Sequence, residues 1–338
     1  MSPSIVSAFS ENARRQQSQW KACTPDLSEA ARVRGLWRLK TRSYVLPAQH
    51  ATQTLWSPIR AEVLDTFERD QIVWHDVDSE DYGARTMPGP PPHLMSSQVA
   101  CLNFWWGLSQ SPTVLATVLK TVFPELDRMV PPVAGGSLIA PEWIGARNYL
   151  GEADSPERPR RRGQFTTSAD LLLAYEDVTG RRHGIMVESK YSERYVNQRF
   201  RPDRVALYGP FLDLQTGPIR RDRVVCVDLL LIEPFYQHLR QQLLAAAMED
   251  AHELEFESVS VLHVAPKANR AYHEGITSPS LTKWGNTISA IWVELLRDPS
   301  RYRSISYEAA FNTARVAGMS ADWIEYQSKR YAWASEAS

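Results

Sequence analysis

Long apolar runs are missing from this 338-residue sequence. None approaches the ~20 residues that a membrane-crossing helix needs, and the polar stretch Met1–Gln19 holds no signal-peptide core. Cysteine is scarce: Cys23, Cys101 and Cys226 are far apart and odd in number, which excludes a disulfide framework and a cysteine metal cluster and suits a reducing cytoplasm. Neither sign of charge prevails, with 38 Lys and Arg against 39 Asp and Glu, so the chain as a whole is no nucleic-acid sponge. A phosphate-cradling glycine loop, a His-x-x-x-His metal motif, internal repeats and low-complexity tracts are also absent. What is left is a cytoplasmic globular chain, long enough to bury a substantial core as one elaborated domain or two small ones.

What is present concentrates between Thr166 and Tyr191. Ser168–Tyr175 reads as an apolar strand interrupted by Asp170, Glu176–Arg181 as a polar turn with Gly180, and His183–Tyr191 as a second strand ending in Glu188-Ser189-Lys190. A hairpin centred on Thr179 sets Glu176 opposite Arg182 and therefore Asp170 opposite Glu188. Directly paired residues share a face, with Cβ atoms roughly 4.5–5.5 Å apart, and Lys190, two residues beyond Glu188, shares it too. Two carboxylates that close repel each other unless a cation lies between them. Mg²⁺ or Mn²⁺ suits the place, because such ions take oxygen ligands and commonly one or two carboxylates. Lys190 is then positioned to serve an attacking water and to stabilise developing negative charge. The chemistry is that of metal-assisted phosphodiester hydrolysis. The ordinary meaning of a Glu-x-Lys triplet is a surface salt bridge. Asp170 is the counterweight, since an unpaired carboxylate in an apolar run is costly.

Asp170 followed by Glu188-Ser189-Lys190 resembles the two-part signature of the PD-(D/E)xK nuclease superfamily, with Ala169 standing where that signature carries proline. The order of elements expected below, helix, three strands, helix, strand (αβββαβ), is similar to that superfamily's restriction-endonuclease-like core and spans about residues 93–266. The resemblance implies an α/β fold with a central mixed sheet flanked by helices. It further implies Mg²⁺ or Mn²⁺ held by Asp170 and Glu188, and DNA as substrate, with RNA the open alternative. A bacterial subgroup of the superfamily extends the likeness. Its first helix opens with Ser-Ser-Gln, which points to Gln98 and to Asn103. Its Glu-aromatic-Ile strand makes Glu142 a third candidate metal ligand, and the helix after its catalytic strand carries a Gln and an Arg, here Gln237 and Arg240, to hold a water or a phosphate. Each has an ordinary alternative: Gln98 as a solvent-facing helix residue, Glu142 as an exposed strand residue with Glu152 its rival, Gln237 and Arg240 as a polar helix face.

Along the chain, residues 1–92 read as an N-terminal extension. Its first thirty residues are polar and expected to fray, Gly35–Tyr44 alternates basic and apolar residues, Thr54–Ile72 reads as a helix broken by Pro58, Trp74–Asp81 is acidic, and Met87–His93 is a proline-rich linker. Residues 93–275 form the expected nuclease-like core. Met95, Val99, Leu102 and Trp106 line one face of a helix over Ser96–Leu108, capped by Ser96 or Ser97. A second helix over Thr113–Val122 stops at Pro124, and Ser137–Leu150 is the first core strand. Tyr191–Phe200 reads as helical, and Val224–Ile232 fits a buried strand or a helix equally. A helix starts at Pro234, and Glu257–Val264 is the last strand, with His263 a hydrogen-bonded core residue. Residues 276–338 read as a C-terminal helical cap with helices over Ser280–Leu296 and Tyr307–Ala334. Trp323, Tyr326, Tyr331 and Trp333 pack that cap or stack on unpaired bases.

The basic residues are unevenly spread. Arg158–Arg223 holds fourteen Lys and Arg against eight Asp and Glu. The run Arg160, Arg161 and Arg162 precedes the first strand of the hairpin and is the candidate phosphate track. A metal-dependent nuclease, probing DNA with these arginines, is the leading function. An inactive nucleic-acid-binding module on the same fold, or a scaffold whose charges are a solvated face, is the alternative.

Overall fold

A computed structural model describes residues 3–75, 89–153, 155, 159–195, 200, 202–212, 217–224, 226–331 and 333. Arg158, Arg199 and Arg201 of the basic clusters, and the acidic residues after His75, lie outside these. The chain opens with helix α1 (Pro3–Cys23), followed by a small hairpin of β1 (Gly35–Trp37) and β2 (Lys40–Arg42) and by α2 (Ser57–Arg69). The stretch expected to fray is helical because it buries Ala13 and Trp20 and because its buried Gln17 and Lys21 find partners. Gln17 donates to the Tyr191 hydroxyl and to the Arg330 carbonyl, and the buried Lys21 ammonium donates to the carbonyls of Val33 and Val45. Pro58 does not break a helix. It sits in the first turn of α2, where a missing N–H leaves no bond unmade.

The next helix, α3, runs without interruption from Ser97 to Ser109, its middle turn Leu102–Trp106 being π-helical. Ser96 caps it, its hydroxyl accepting from the Val99 N–H at 3.2 Å. Helix α4 (Pro112–Lys120) precedes two short strands, β3 (Leu126–Val130) and β4 (Ala140–Trp143). Then come β5 (Ala169–Asp177) and β6 (Arg182–Ser189), helix α5 (Asp203–Leu212), helix α6 (Phe235–Asp250), and β7 (Phe256–Ala265). Helix α7 (Ile288–Leu295), strand β8 (Tyr302–Ser306), and helices α8 (Tyr307–Val316) and α9 (Ala321–Tyr331) complete the order.

Strands β3–β8 form one mixed sheet, and β1 and β2 a separate two-stranded one. Strands β5 and β6 are antiparallel with Glu176 opposite Arg182 and Leu171 opposite Val187, so the register places Asp170 opposite Glu188 as the turn chemistry indicated. The far edge of β5 is shared, β3 pairing with its second half and β4 with its first. Strand β6 pairs in parallel with β7, and β7 in parallel with β8. Side chains of β5 and β6 alternate between two cores. Leu171, Leu173, Ile185 and Val187 face α3, α4 and the terminal helices; Leu172, Ala174 and Met186 face α6 and α7. Burial on both faces explains why these strands read as continuous apolar runs.

Several expected elements differ. The first core strand is only four residues long, because Pro141 and the turn at Gly145 leave no room for the reach to Leu150. Strand β3 was unforeseen, being short and half polar. Strand β8 falls inside the stretch read as a helical cap and gives the sheet its far edge. Tyr191–Tyr195 is not helical, and among the described residues of Val224–Ile232 the regular structure is a 3-10 turn, Val227–Leu230. Trp323, Tyr326, Tyr331 and Trp333 are buried, with Tyr331 and Trp333 stacked 5.2 Å apart, so they are packing residues and are closed to unpaired bases.

Candidate active site

Three carboxylates occupy one row across three strands. Pro141 lies opposite Leu171 and Trp143 opposite Ala169, so Glu142 stands opposite Asp170, which stands opposite Glu188. Each is held by its own partners. The Ser189 N–H donates to Asp170 Oδ2 at 2.6 Å. Gln241 of α6 donates to Glu188 Oε2, and Lys190 Nζ is ion-paired with Glu188 Oε1. Glu142 Oε1 accepts from Gln98 Nε2 at 2.8 Å, and its Oε2 accepts from the Ser168 hydroxyl at 2.8 Å, with His75 Nε2 at 3.5 Å. Glu142 and Glu188 are buried and Asp170 is partly exposed. The Glu188–Lys190 pair is therefore an ion pair, but a buried one rather than the surface bridge that the triplet usually means.

Glu142 carries a further mark. Its φ is +47°, in the left-handed region that a side chain other than glycine seldom adopts. Such a conformation costs about 1–3 kcal/mol and persists only where neighbours over-determine it. Gln98, Ser168 and His75 are those neighbours. The loop beneath them needs Gly163: its φ is +76°, and a Cβ there would meet His75 Nε2 at 2.8 Å.

The charges are unevenly neutralised. Burial, then the negative charges of Glu188 and Glu142, push the Asp170 carboxyl well above the usual range. Burial raises Glu142 too, but His75, Gln98 and Ser168 outweigh it and leave that carboxyl below its ordinary value. His75 is lowered by burial, and Glu142 more than restores it, to above an ordinary imidazole. Burial also works against the Lys190 ammonium, yet Glu188 and the surrounding acidic groups hold its pKa well above that of a free lysine. The charged form of Lys190 is thus the favoured one while Glu188 stands beside it as a carboxylate.

A divalent metal fits this donor set in chemistry. The oxygens are hard, and Asp170 is crowded by two like charges with only a single lysine among them. Among the described residues no three His, Cys, Asp or Glu side chains close into a ready-made cage. The fit is that of an ion held by one or two carboxylates and completed by water and phosphate oxygens.

The other residues singled out from sequence lie as follows. Gln98 is buried against Glu142 rather than facing solvent. Asn103 is not at the site: its Oδ1 accepts from the Trp56 N–H, and its Nδ2 donates to the Thr54 carbonyl and the Tyr331 hydroxyl. Gln237 accepts from the Tyr195 hydroxyl, one turn away from Gln241, which makes the contact with Glu188. Arg240 lies 4.7 Å over the Tyr236 ring and donates to the Thr167 hydroxyl. Glu152 is occupied by Thr166, Thr167 and Tyr208, away from the carboxylate row. Arg160 donates to the Ile144 and Gly145 carbonyls, and Arg162 lies 4.7 Å over Trp143 and bonds Asp70, whereas Arg161 is exposed. Sequence reasoning missed Gln241, Ser168 and His75. Only Gln241 left a signal, a polar residue adjoining the buried stripe of α6, one turn from Gln237.

A mixed sheet flanked by helices, with carboxylates and a lysine gathered across its central hairpin, is consistent with the restriction-endonuclease-like class of α/β proteins. The chain belongs to the family described as restriction endonuclease associating with ARP, which matches residues 13–332. No curated protein and no solved structure matches it.

Proposed function

We propose that this protein is a metal-dependent nuclease of the PD-(D/E)xK type that hydrolyses phosphodiester bonds of DNA. The observation that carries the reading is the row Glu142, Asp170, Glu188 on three neighbouring strands, with Lys190 ion-paired to the last of them. Membership of a restriction-endonuclease family supports DNA as the substrate. Mg²⁺ or Mn²⁺, held by Asp170 and Glu188 with Glu142 a third candidate, would polarise the phosphate and lower the pKa of a bound water.

The chain's own residues do the rest. Lys190, kept protonated, stabilises the negative charge that grows on the phosphoryl oxygens and orients the attacking water. Gln241 and the Ser189 N–H fix the Glu188 and Asp170 carboxylates, and Gln98, Ser168 and His75 fix Glu142, so the acceptor oxygens are oriented before substrate arrives. Arg161 is the member of the arginine run available to a phosphate, with Arg240 a second candidate deeper in.

One observation favours a second reading, binding without turnover: both Glu188 oxygens already have protein partners, Gln241 and Lys190. Incubation of plasmid DNA with Mg²⁺, Mn²⁺ or EDTA separates the two. The nuclease reading expects cleavage with metal only, and Asp170→Asn reducing it by at least about 10²-fold while DNA is still bound. A wild-type protein that binds DNA and cuts none with either metal is a binding module.

A further inference from the structure

The β1–β2 hairpin takes no part in the site. From Val33 to Tyr44 it carries Arg34, Arg38, Lys40 and Arg42 and no acidic residue. Arg34, Lys40 and Arg42 form no ion pair among the described residues. Its leucines face solvent: Leu39 is 92% exposed, more than any other large hydrophobic residue described, and Leu36 is 64% exposed. The turn residues Arg38 and Leu39 both have left-handed backbones, φ 47° and 60°, as a two-residue turn matching the twist of its strands requires.

The base, in contrast, is fixed. The Gly35 N–H donates to the Val45 carbonyl at 2.8 Å, and a Cβ on Gly35 would stand 2.1 Å from the Leu46 oxygen. Lys21 ties the Val33 and Val45 carbonyls together, and the Trp37 ring lies 4.6 Å from that of His93. His93 leads within a few residues into α3, whose Gln98 holds Glu142. A stiff base with an apolar, basic tip is poorly explained as packing, since nothing among the described residues covers the leucines.

We propose that this hairpin is a duplex-reading element that enters the major groove of DNA, Leu39 meeting base edges and Arg34, Lys40 and Arg42 meeting phosphates on the two walls. The major groove admits a two-stranded ribbon, and the thymine methyl is its apolar feature. The register distributes the charges suitably. Leu36 pairs with Thr41 on one face, which Arg34 continues; Lys40 and Arg42 pair with Trp37 and Gly35 on the other. The Gly35–Trp37 face rests on Leu46 and His93, so the hairpin meets the duplex with its turn and its Leu36 face, and the long Lys40 and Arg42 side chains reach phosphate from its edge. This inference rests on the DNA reading above but not on turnover.

The test measures duplex affinity by fluorescence anisotropy across salt, for wild type, Arg34→Ala/Lys40→Ala/Arg42→Ala and Leu39→Ser, with thymine- and uracil-containing duplexes of one sequence. Hydrolysis of bis(4-nitrophenyl) phosphate with Mn²⁺, a diester too small to reach the hairpin, is followed in parallel. The triple variant is expected to bind more weakly, its log–log salt slope falling by about 0.9 for each phosphate no longer neutralised, with small-diester hydrolysis and melting temperature unchanged. Leu39→Ser is expected to lose the wild-type preference for thymine over uracil. Unchanged slope and preference, or a wild type that binds no duplex, overturns the hairpin's role. A wild type that binds through the hairpin yet hydrolyses neither DNA nor the small diester leaves this inference standing and removes the nuclease reading instead.

Discussion

Asp170, Glu188 and Lys190 were legible as a group because a strand alternates with a fixed period of two and the turn fixes the pairing, so three residue numbers translate directly into one face. Gln241 was not legible, because a helix offers several polar residues near its buried edge and only packing angle selects one. The two glutamines make a direct contrast. Gln241→Ala is expected to lower the DNA cleavage rate about 10–100-fold, the usual effect of removing a partner that orients a metal-binding carboxylate, with DNA affinity little changed. Gln237→Ala, which loses only a bond to Tyr195, is expected to leave both unchanged. Equal effects from the two substitutions in a single-turnover assay would contradict the geometry. Glu142 shows the limit of sequence more sharply: nothing in Pro-Glu-Trp announces a left-handed backbone.

At the scale of elements, the hairpin was readable because its turn is self-contained. Asp177 accepts from the Thr179 hydroxyl and N–H, from the Arg181 N–H and guanidinium, and pairs with His183. Those bonds, the Thr179 hydroxyl first, hold its carboxyl below the usual aspartate range. A folded pKa below the unfolded one means stability present above the unfolded value, near 3.9, and lost as pH falls below it. Asp177→Ala is therefore expected to lower the melting temperature at pH 7 and to flatten the decline of melting temperature below about pH 4; scanning calorimetry across that range decides it. Helix α3 was readable from its apolar stripe, but the distant partners of its polar residues were not. Helix α3 bears Asn103, which joins the N-terminal extension at Thr54 and Trp56 to Tyr331 of α9, while its carbonyl accepts from Trp323 and Gln327. Asn103→Ala is expected to destabilise the fold by about 1–3 kcal/mol for each buried group left unpaired, measured by urea unfolding. A change within a few tenths would mean that the two terminal regions are held some other way.

On the scale of the whole molecule, the central strands of the sheet gave a clear signal, while its two edge strands and most of the polar interior did not. His93 and His238 are buried, and burial lowers them to about 3 and about 4; His263 falls well below its ordinary value for the same reason. Folded pKa values beneath the unfolded value of about 6.5 mean that the unfolded chain takes up protons which the folded chain refuses. Stability is then complete above about pH 6.5 and falls as the pH drops through that value. His75, raised instead, opposes them only above that value, since below it the folded and unfolded chains both carry its proton; below it each buried imidazole costs up to roughly 1.4 kcal/mol per pH unit. Urea midpoints between pH 7.5 and 5 are expected to decline accordingly, and His238→Gln to shallow the slope. A flat profile would place these imidazoles in contact with water.

The central claim is that Lys190 acts on the transition state of phosphodiester hydrolysis. Single-turnover cleavage and equilibrium binding of one DNA duplex, with Mg²⁺ or Mn²⁺, by wild type and Lys190→Ala, test it together. Lys190 is buried on Glu188 and is no phosphate anchor in the resting site, so its removal should reduce the cleavage rate by about 10²–10⁴ with affinity nearly unchanged. A Lys190→Ala protein that cuts as fast as wild type would make the Glu188–Lys190 pair a structural ion pair and the proposed site wrong.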